Sequence, residues 1–196
     1  MKGRSIKKAL KDFLIVVSGI PRSETSLMMQ MLQAGGIEIL SDNKREADRS
    51  NPKGYLELEA VKKLGKDNSC LKEETGKAVK VISHLLKYIP KQQKYKIIFM
   101  NRDINEVIKS QQKMLGDFEK KYPKVLMKAF DKEAGVMKKW ALDQENIELL
   151  DLNYTDIIDN PSREVDKIIN FLNASLKREK MIAVVDPSLY RSKVKK

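Results

Sequence analysis

Continuous apolar runs alternate along this chain with stretches in which apolar residues recur every three or four positions. The runs predict buried β-strands, and the helical spacing between them predicts crossover helices. The first helix is expected from near Ser23 to the Gly35-Gly36 pair, since glycine commonly ends a helix. A peripheral amphipathic helix is expected over Ala129–Leu142. The expected strands are Phe13–Val17, Lys77–Ile82, Tyr95–Asn101 and Glu148–Leu152.

Strands that alternate with helices indicate an α/β fold. We predict a three-layer sandwich, in which helices cover both faces of a central parallel sheet of four or five strands. Ligands of such sheets bind at the carboxyl ends of the strands. The 196 residues, 41% of them hydrophobic, suffice for one core, and no linker or repeat divides them. Residues 1–196 are therefore predicted to form a single domain.

The junction between the first strand and the first helix carries a strong chemical signal. Residues 19–26 read Gly-Ile-Pro-Arg-Ser-Glu-Thr-Ser, which predicts a P-loop-like strand–loop–helix unit. Backbone N–H groups and the positive end of the helix dipole meet at such a junction and suit a phosphate or sulfate. Arg22 adds a positive charge, and Ser23, Thr25 and Ser26 add hydroxyl donors. The alternative is a junction whose hydroxyls only cap the helix.

The same loop departs from the P-loop of nucleoside-triphosphate enzymes, which reads G-x-x-x-x-G-K-[ST]. Counted from Gly19, Glu24 stands in place of the second glycine and Thr25 in place of the lysine. The missing lysine disfavours hydrolysis of ATP or GTP, and it also disfavours a P-loop kinase.

A second polar cluster follows the strand predicted at Tyr95–Asn101. Arg102 comes directly after this strand, and Ser110 lies two helical turns further on. A guanidinium at the carboxyl end of a strand can bind a phosphate through two hydrogen bonds, and the serine can donate one more. The alternative is a salt bridge between Arg102 and Asp103 at the helix start. Two such clusters, each after its own strand, favour ligand binding.

These two clusters resemble those of the sulfotransferase superfamily. Residues 21–26, Pro-Arg-Ser-Glu-Thr-Ser, resemble its 5′-phosphosulfate loop, and Arg102 and Ser110 stand at the spacing of its 3′-phosphate site. The resemblance extends to residues 51–57, 147–156, 160–172 and 185–191. It implies transfer of a sulfuryl group from 3′-phosphoadenosine 5′-phosphosulfate (PAPS) to a hydroxyl or amine. The cofactor-binding residues that it implies are Arg22, Ser23, Glu24, Thr25, Ser26, Arg102, Ser110 and Arg191.

The resemblance also implies catalytic residues. Arg22 occupies the family's Lys/Arg position, where a cation stabilises the charge that grows on the leaving oxygen. This chemistry needs no metal, and none is expected. The acceptor needs a base, for which we place His84, the only histidine, slightly ahead of Glu57 and Glu59. The alternatives are a structural histidine at a strand end and glutamates at a solvated helix start.

Glu24 departs from the family's loop, which has glycine at this position. A carboxylate about 4 Å from the phosphosulfate repels it by about 4 kcal/mol at an effective dielectric constant near 20. We expect the side chain to point outward, which leaves the backbone N–H to bind the ligand. An inward carboxylate instead favours the alternative function, a non-catalytic protein that binds PAPS or its product 3′-phosphoadenosine 5′-phosphate (PAP).

Composition limits the partners. The 39 basic and 27 acidic residues give a net charge of +12, which attracts an anionic nucleotide. Nucleic acid is disfavoured, because basic residues are scattered among acidic ones and only 6% of residues are aromatic.

No apolar run is long enough to span a membrane, and Phe13–Val17 is too short for a signal peptide. The single cysteine, Cys70, favours a reducing cytoplasm. The expected partners are the nucleotide co-substrate and a small-molecule or carbohydrate acceptor.

Overall fold

Five parallel strands form one sheet in the computed structural model, which describes residues 6–42, 44–48, 51, 54–114, 124–190 and 192–193. The strands are β1 (Phe13–Gly19), β2 (Glu38–Ile39), β3 (Lys77–Lys80), β4 (Lys94–Asn101) and β5 (Ile147–Asn153). They lie in the order β2-β3-β1-β4-β5, and every pairing between them is parallel. The prediction of a parallel sheet of four or five strands is confirmed.

The four strands predicted from apolar runs all occur, and each end lies within two residues of the predicted end. β1 is buried over nearly its whole length, which explains its continuous apolar run. β2 was not predicted. It has only 2 residues, Glu38 and Ile39, and forms one edge of the sheet, so it needs no apolar run.

The helices of the described residues include the two whose bounds the sequence predicted. The first of these, α2 (Thr25–Gly35), is capped by Gly36, whose φ of 101° lets its N–H bond the carbonyls of the last turn. The peripheral helix expected over Ala129–Leu142 begins five residues earlier, at Lys124. The helices are α1 (Ile6–Leu10), α2 (Thr25–Gly35), α3 (Ile104–Met114), α4 (Lys124–Leu142), α5 (Tyr154–Asp159), α6 (Pro161–Leu172) and α7 (Arg178–Val184).

Helices cover both faces of the sheet. Side chains alternate along a strand, so Leu14 and Val16 of β1 enter one apolar cluster while Ile15 and Val17 enter the other. The first cluster contains residues of α3, α4 and the 3₁₀ segment Ser83–Tyr88, and the second contains residues of α2, α6 and α7. The three-layer α/β sandwich is therefore confirmed.

The chain path creates a crevice at the carboxyl ends of β1 and β4. These neighbours pair from Phe13 opposite Lys94 to Gly19 opposite Met100. After β1 the chain turns to the β2 edge of the sheet, and after β4 it turns to the β5 edge. Diverging connections of this kind leave an open crevice, which is the usual ligand site of an open α/β sheet.

The segment of residues 42–58 follows β2. In its described residues it carries an isolated bridge between Asp48 and Asn51. Pro52 and Lys53 of the resembling motif, and Arg191 near the C-terminus, lie outside the described residues. Within the described ranges, the helices lack the length and apolarity needed to cross a bilayer.

Candidate functional site

A tight turn joins β1 to α2. The hydroxyl of Ser23 donates to the carbonyl of Ile20 at 2.8 Å, and the Ser23 N–H donates to the same oxygen at 3.2 Å. Ser23 is fully buried, so its hydroxyl closes the turn. Arg22 and Glu24 have φ values of 70° and 67°. Positive φ values of this kind occur where successive N–H groups form a concave anion site.

Gly19 allows the turn to lie against β4. A Cβ atom at this position would approach the Met100 carbonyl oxygen to 2.6 Å, closer than real Cβ contacts. Its φ of 152° is also one that other residues rarely adopt. The glycine therefore brings the β1–α2 loop close to the end of β4, where Arg102 follows.

Arg102 makes three hydrogen bonds in the crevice. Its Nη1 donates to the Arg22 carbonyl at 3.2 Å and to Glu24 Oε1 at 2.7 Å, and its Nε donates to Glu106 Oε2 at 3.2 Å. Only 2% of the side chain is exposed. The guanidinium therefore ties α3 and the β4 end to the loop.

Aromatic rings flank Arg102. Its guanidinium carbon lies 4.8 Å from the ring centre of Tyr154, and the Tyr190 ring meets Tyr154 edge-to-face at 4.9 Å. The Tyr190 hydroxyl donates to Glu106 Oε1 at 2.5 Å. Burial raises the pKa of Tyr154 and of Tyr190, so both hydroxyls keep their protons. Tyr190 thus anchors the 3₁₀ turn Pro187–Leu189, which it follows, to the crevice.

The loop and α3 are joined by a second contact. Arg22 Nε donates to Ser110 Oγ at 3.0 Å, and Ser110 is buried. The structure therefore brings together residues that the sequence places about 80 positions apart: Arg22 and Glu24 from the loop, Arg102 and Ser110 from β4 and α3.

The outward orientation expected for Glu24 was wrong. Its carboxylate turns to Arg102, with 29% of the side chain exposed, and makes no capping bond to α2. The physical reason is the guanidinium itself, since a buried cation requires counter-charge. The left-handed backbone of Glu24 starts α2.

A cavity of about 310 Å³ opens beside the loop. Arg22, Glu24, Thr25 and Ser26 line one side of it. An apolar part of the wall is formed by Leu58, Val61, Ile82 and Leu85. The cavity can therefore contact both a polar group and an apolar body of a ligand.

Lys80 is a polar residue of the cavity that the sequence analysis missed. It ends β3, and its Nζ donates to Ser26 Oγ at 2.9 Å, to Glu57 Oε1 at 3.3 Å and to the Tyr55 carbonyl. Its side chain is 6% exposed, and burial lowers its pKa to about 8 although Glu57 opposes the shift. A lysine that ends a strand next to the loop strand was the signal that could have identified it.

Glu57 lies between two cations. Besides Lys80, it contacts Arg45 Nη1 at 3.2 Å. Arg45 stacks on the ring of Tyr55, 3.4 Å from its centre, and the Tyr55 hydroxyl donates to Asp48 at 2.7 Å. These contacts hold Arg45, Tyr55 and Glu57 at the cavity.

The other base candidates lie elsewhere. His84 is half-buried and lies in the segment Ser83–Tyr88. Ile82 and Leu85, on either side of it in the sequence, line the cavity, but His84 does not. Glu59 is exposed and pairs with Lys62 at 2.7 Å. Within the described part of the chain, His, Cys, Asp and Glu form no group of three that could hold a metal ion.

The sequence matches the profile of the sulfotransferase domain family over residues 12–194. No curated protein sequence matched the chain.

Solved sulfotransferase structures share the fold. The sulfotransferase domain of the Synechococcus PCC 7002 olefin synthase is 16% identical, with a TM-score of 0.55, and the match covers 92% of this chain and 88% of that domain. A mouse sulfotransferase complexed with PAP is 14% identical, with a TM-score of 0.54, and the match covers 92% of this chain and 66% of the mouse protein. The sulfotransferase domain of the curacin biosynthetic pathway is 11% identical, with a TM-score of 0.51, and the match covers 93% of this chain and 83% of that domain.

Proposed function

Because the chain belongs to the sulfotransferase domain family, we propose that it transfers a sulfuryl group from PAPS to a hydroxyl or amine of a small-molecule or carbohydrate acceptor. The observation that carries this proposal is the convergence of the two predicted phosphate sites. Arg22 and Ser110 are hydrogen-bonded at 3.0 Å, and Arg102 bonds the Arg22 carbonyl. One nucleotide with two phosphate groups can therefore contact both sites. The complex of the mouse relative with PAP supports this choice of ligand.

The nucleotide is proposed to bind across the β1–β4 crevice. The loop N–H groups and the hydroxyls of Thr25 and Ser26 would hold the 5′-phosphosulfate at the start of α2. Arg102 and Ser110 would hold the 3′-phosphate, through a guanidinium fork and one hydroxyl. Arg191 is retained as a further ligand on the resemblance alone.

Sulfuryl transfer requires cations at the oxygens where negative charge grows. The bond from sulfur to the 5′-phosphate oxygen breaks, a bond from sulfur to the acceptor oxygen or nitrogen forms, and PAP leaves with the bonding electrons. Arg22 lines the cavity, and Lys80 reaches Ser26 of the loop. We assign both cations to stabilising the charge on PAP and the transferred group.

The acceptor must lose a proton during transfer. Glu57 lines the cavity and contacts Lys80, so we propose its carboxylate as the proton acceptor. His84 is the second candidate, since its segment borders the cavity. The apolar wall of Leu58, Val61, Ile82 and Leu85 would hold the acceptor body.

The proposal is tested by ligand binding and by transfer. A thermal-shift titration compares PAP with AMP and ATP. A ligand at about 100 times its Kd adds about 2.7 kcal/mol of stability, which raises the Tm by about 5–10 °C. PAP is expected to give this shift at lower concentration than AMP or ATP. Incubation with sulfur-labelled PAPS and a panel of phenols, alcohols, amines and sugars is expected to label at least one acceptor. Equal shifts with AMP and PAP, together with no labelled product, would contradict the proposal.

A non-catalytic protein that binds PAP or PAPS is the second candidate. The Glu24–Arg102 ion pair favours it, because a carboxylate stands where the 3′-phosphate is proposed to bind. Tight PAP binding without transfer to any acceptor, in the wild type and in Glu24→Gly, would select this function.

A further inference from the structure

Arg102 is already neutralised within the chain. One guanidinium contacts two carboxylates, Glu24 Oε1 at 2.7 Å and Glu106 Oε2 at 3.2 Å. One guanidinium (+1) and two carboxylates (−2) have a formal net charge of −1. A phosphate that approaches this guanidinium therefore meets two carboxylates already bonded to it.

The two carboxylates differ in how they are held. The side chain of Glu106 is 6% exposed, lies one turn along α3 from Arg102 and accepts the Tyr190 hydroxyl at 2.5 Å. The side chain of Glu24 is 29% exposed and borders the cavity. A buried carboxylate with a neutral donor is costly to move, whereas a partly exposed one can turn into solvent. Glu24 is therefore the exchangeable partner of Arg102.

On the basis of the proposed function, we infer that Glu24 is a specificity-determining residue of the 3′-phosphate subsite. In the free protein its carboxylate occupies the guanidinium edge that a nucleotide 3′-phosphate would use. The 3′-phosphate binds by displacing this carboxylate, and Glu106 stays in place. The displacement lowers the preference for nucleotides with a 3′-phosphate over those without one.

The backbone allows the exchange. Glu24 has a φ of 67°, and its N–H lies at the start of α2 whatever its side chain contacts. The side chain can leave Arg102 by rotation about its own bonds, without a change in the loop. The 5′-phosphate end of the ligand therefore keeps its backbone donors while the 3′ end gains Arg102.

The test compares PAP and AMP binding by calorimetry in the wild type, Glu24→Gln and Glu24→Gly. Glutamine keeps the shape without the charge, and glycine suits the positive φ. Each variant is expected to bind PAP about tenfold to a hundredfold more tightly than the wild type at low salt, with AMP affinity changed less than threefold. The gain should shrink at high salt, because salt screens a partly exposed repulsion.

Glu148→Gln is the matched control, since it breaks the 2.8 Å bridge to Lys96 near the amino ends of β4 and β5. It should leave both affinities unchanged. If the ratio of PAP affinity to AMP affinity is the same in all four proteins, the inference is overturned and the proposed function still stands. If no protein binds either nucleotide, the proposed function fails and the inference fails with it. A merely structural role for Glu24 would lower the stability of the free protein without changing that ratio.

Discussion

The two ends of the site have opposite charge balance. At the β4 end, one cation lies between two carboxylates, since Arg102 contacts Glu24 and Glu106. At the β3 end, one carboxylate lies between two cations, since Glu57 contacts Lys80 and Arg45. We call these the Arg102 end and the Lys80 end.

The difference shows how one anionic ligand meets two kinds of subsite. At the Lys80 end, positive charge is in surplus and an anion is attracted without rearrangement. At the Arg102 end, an anion gains a guanidinium only when a resident carboxylate leaves. Arg22 lies between the ends, bonded to Ser110 and lining the cavity. The sulfuryl group is therefore expected where the charge already suits it, and selectivity is expected at the opposite end.

Removal of the central cation of the Arg102 end has the largest expected effect. Arg102→Ala leaves Glu106 buried without its guanidinium, which should lower the free energy of unfolding by about 3–5 kcal/mol. Urea denaturation measures the loss. Arg178→Ala is the control, because Arg178 pairs with Asp166 and Glu179 at an exposed site. Equal destabilisation by the two variants would contradict the tight coupling described for Arg102.

At the Lys80 end, Lys80→Met should reduce transfer more than binding. The loss of one cation aimed at the developing charge is expected to lower kcat by about a hundredfold or more. Lys62→Met is the control, since Lys62 lines the same cavity but is exposed and pairs with Glu59. A kcat for Lys80→Met within threefold of the wild type would remove Lys80 from the proposed chemistry.

The lowered pKa of Lys80 predicts a pH dependence of stability. The folded protein releases this proton near pH 8, whereas the unfolded chain holds it to about pH 10.5. Between these values the unfolded state binds more protons, so the folded state gains stability as pH rises, by up to about 3 kcal/mol. Lys80→Met should lack this gain when unfolding is measured at pH 8 and pH 10. If the free energy of unfolding changes by the same amount between pH 8 and pH 10 in the wild type and in Lys80→Met, the lowered pKa of Lys80 is contradicted.

The smallest expected effect concerns Ser110. Ser110→Ala removes the acceptor of the Arg22 side chain and one proposed donor to the 3′-phosphate. A hydrogen bond to a charged group contributes about 1.5–3 kcal/mol, so PAP affinity should fall about tenfold to a hundredfold. Ser23→Ala is the comparison, because its hydroxyl bonds the Ile20 carbonyl within the turn. Ser23→Ala should lower the free energy of unfolding. If it lowers the selectivity for PAP more than Ser110→Ala does, the role proposed for Ser110 at the 3′-phosphate is contradicted.

The Arg102 end was more predictable from the sequence than the Lys80 end. Arg22 and Arg102 each follow a strongly apolar strand, and the carboxyl ends of neighbouring parallel strands lie side by side. Their proximity follows from topology alone. Lys80 was missed because it ends a strand of only 4 residues, Lys77–Lys80, and it gains its role from contacts with the nonperiodic segment near Glu57.

The orientation of Glu24 was missed for a conformational reason. A non-glycine residue with φ of 67° is uncommon. The glycine that the resembling loop has at this position was the signal that could have indicated it. The outward prediction considered repulsion from a ligand and omitted the attraction of a buried guanidinium 2.7 Å away. Glu24 and Arg102 are 78 positions apart in the sequence, and only the conformation of the folded loop brings their side chains together.

The structure of the protein with bound PAP tests the account most directly. We predict the 5′-phosphate on the loop N–H groups of residues 22–26, beside Ser26 and Lys80, and the 3′-phosphate on Arg102 and Ser110. Glu24 should have left Arg102, while Glu106 keeps its bonds to Arg102 and Tyr190. A 3′-phosphate bound away from Arg102, or a Glu24 carboxylate that stays on Arg102 with PAP present, would contradict the account.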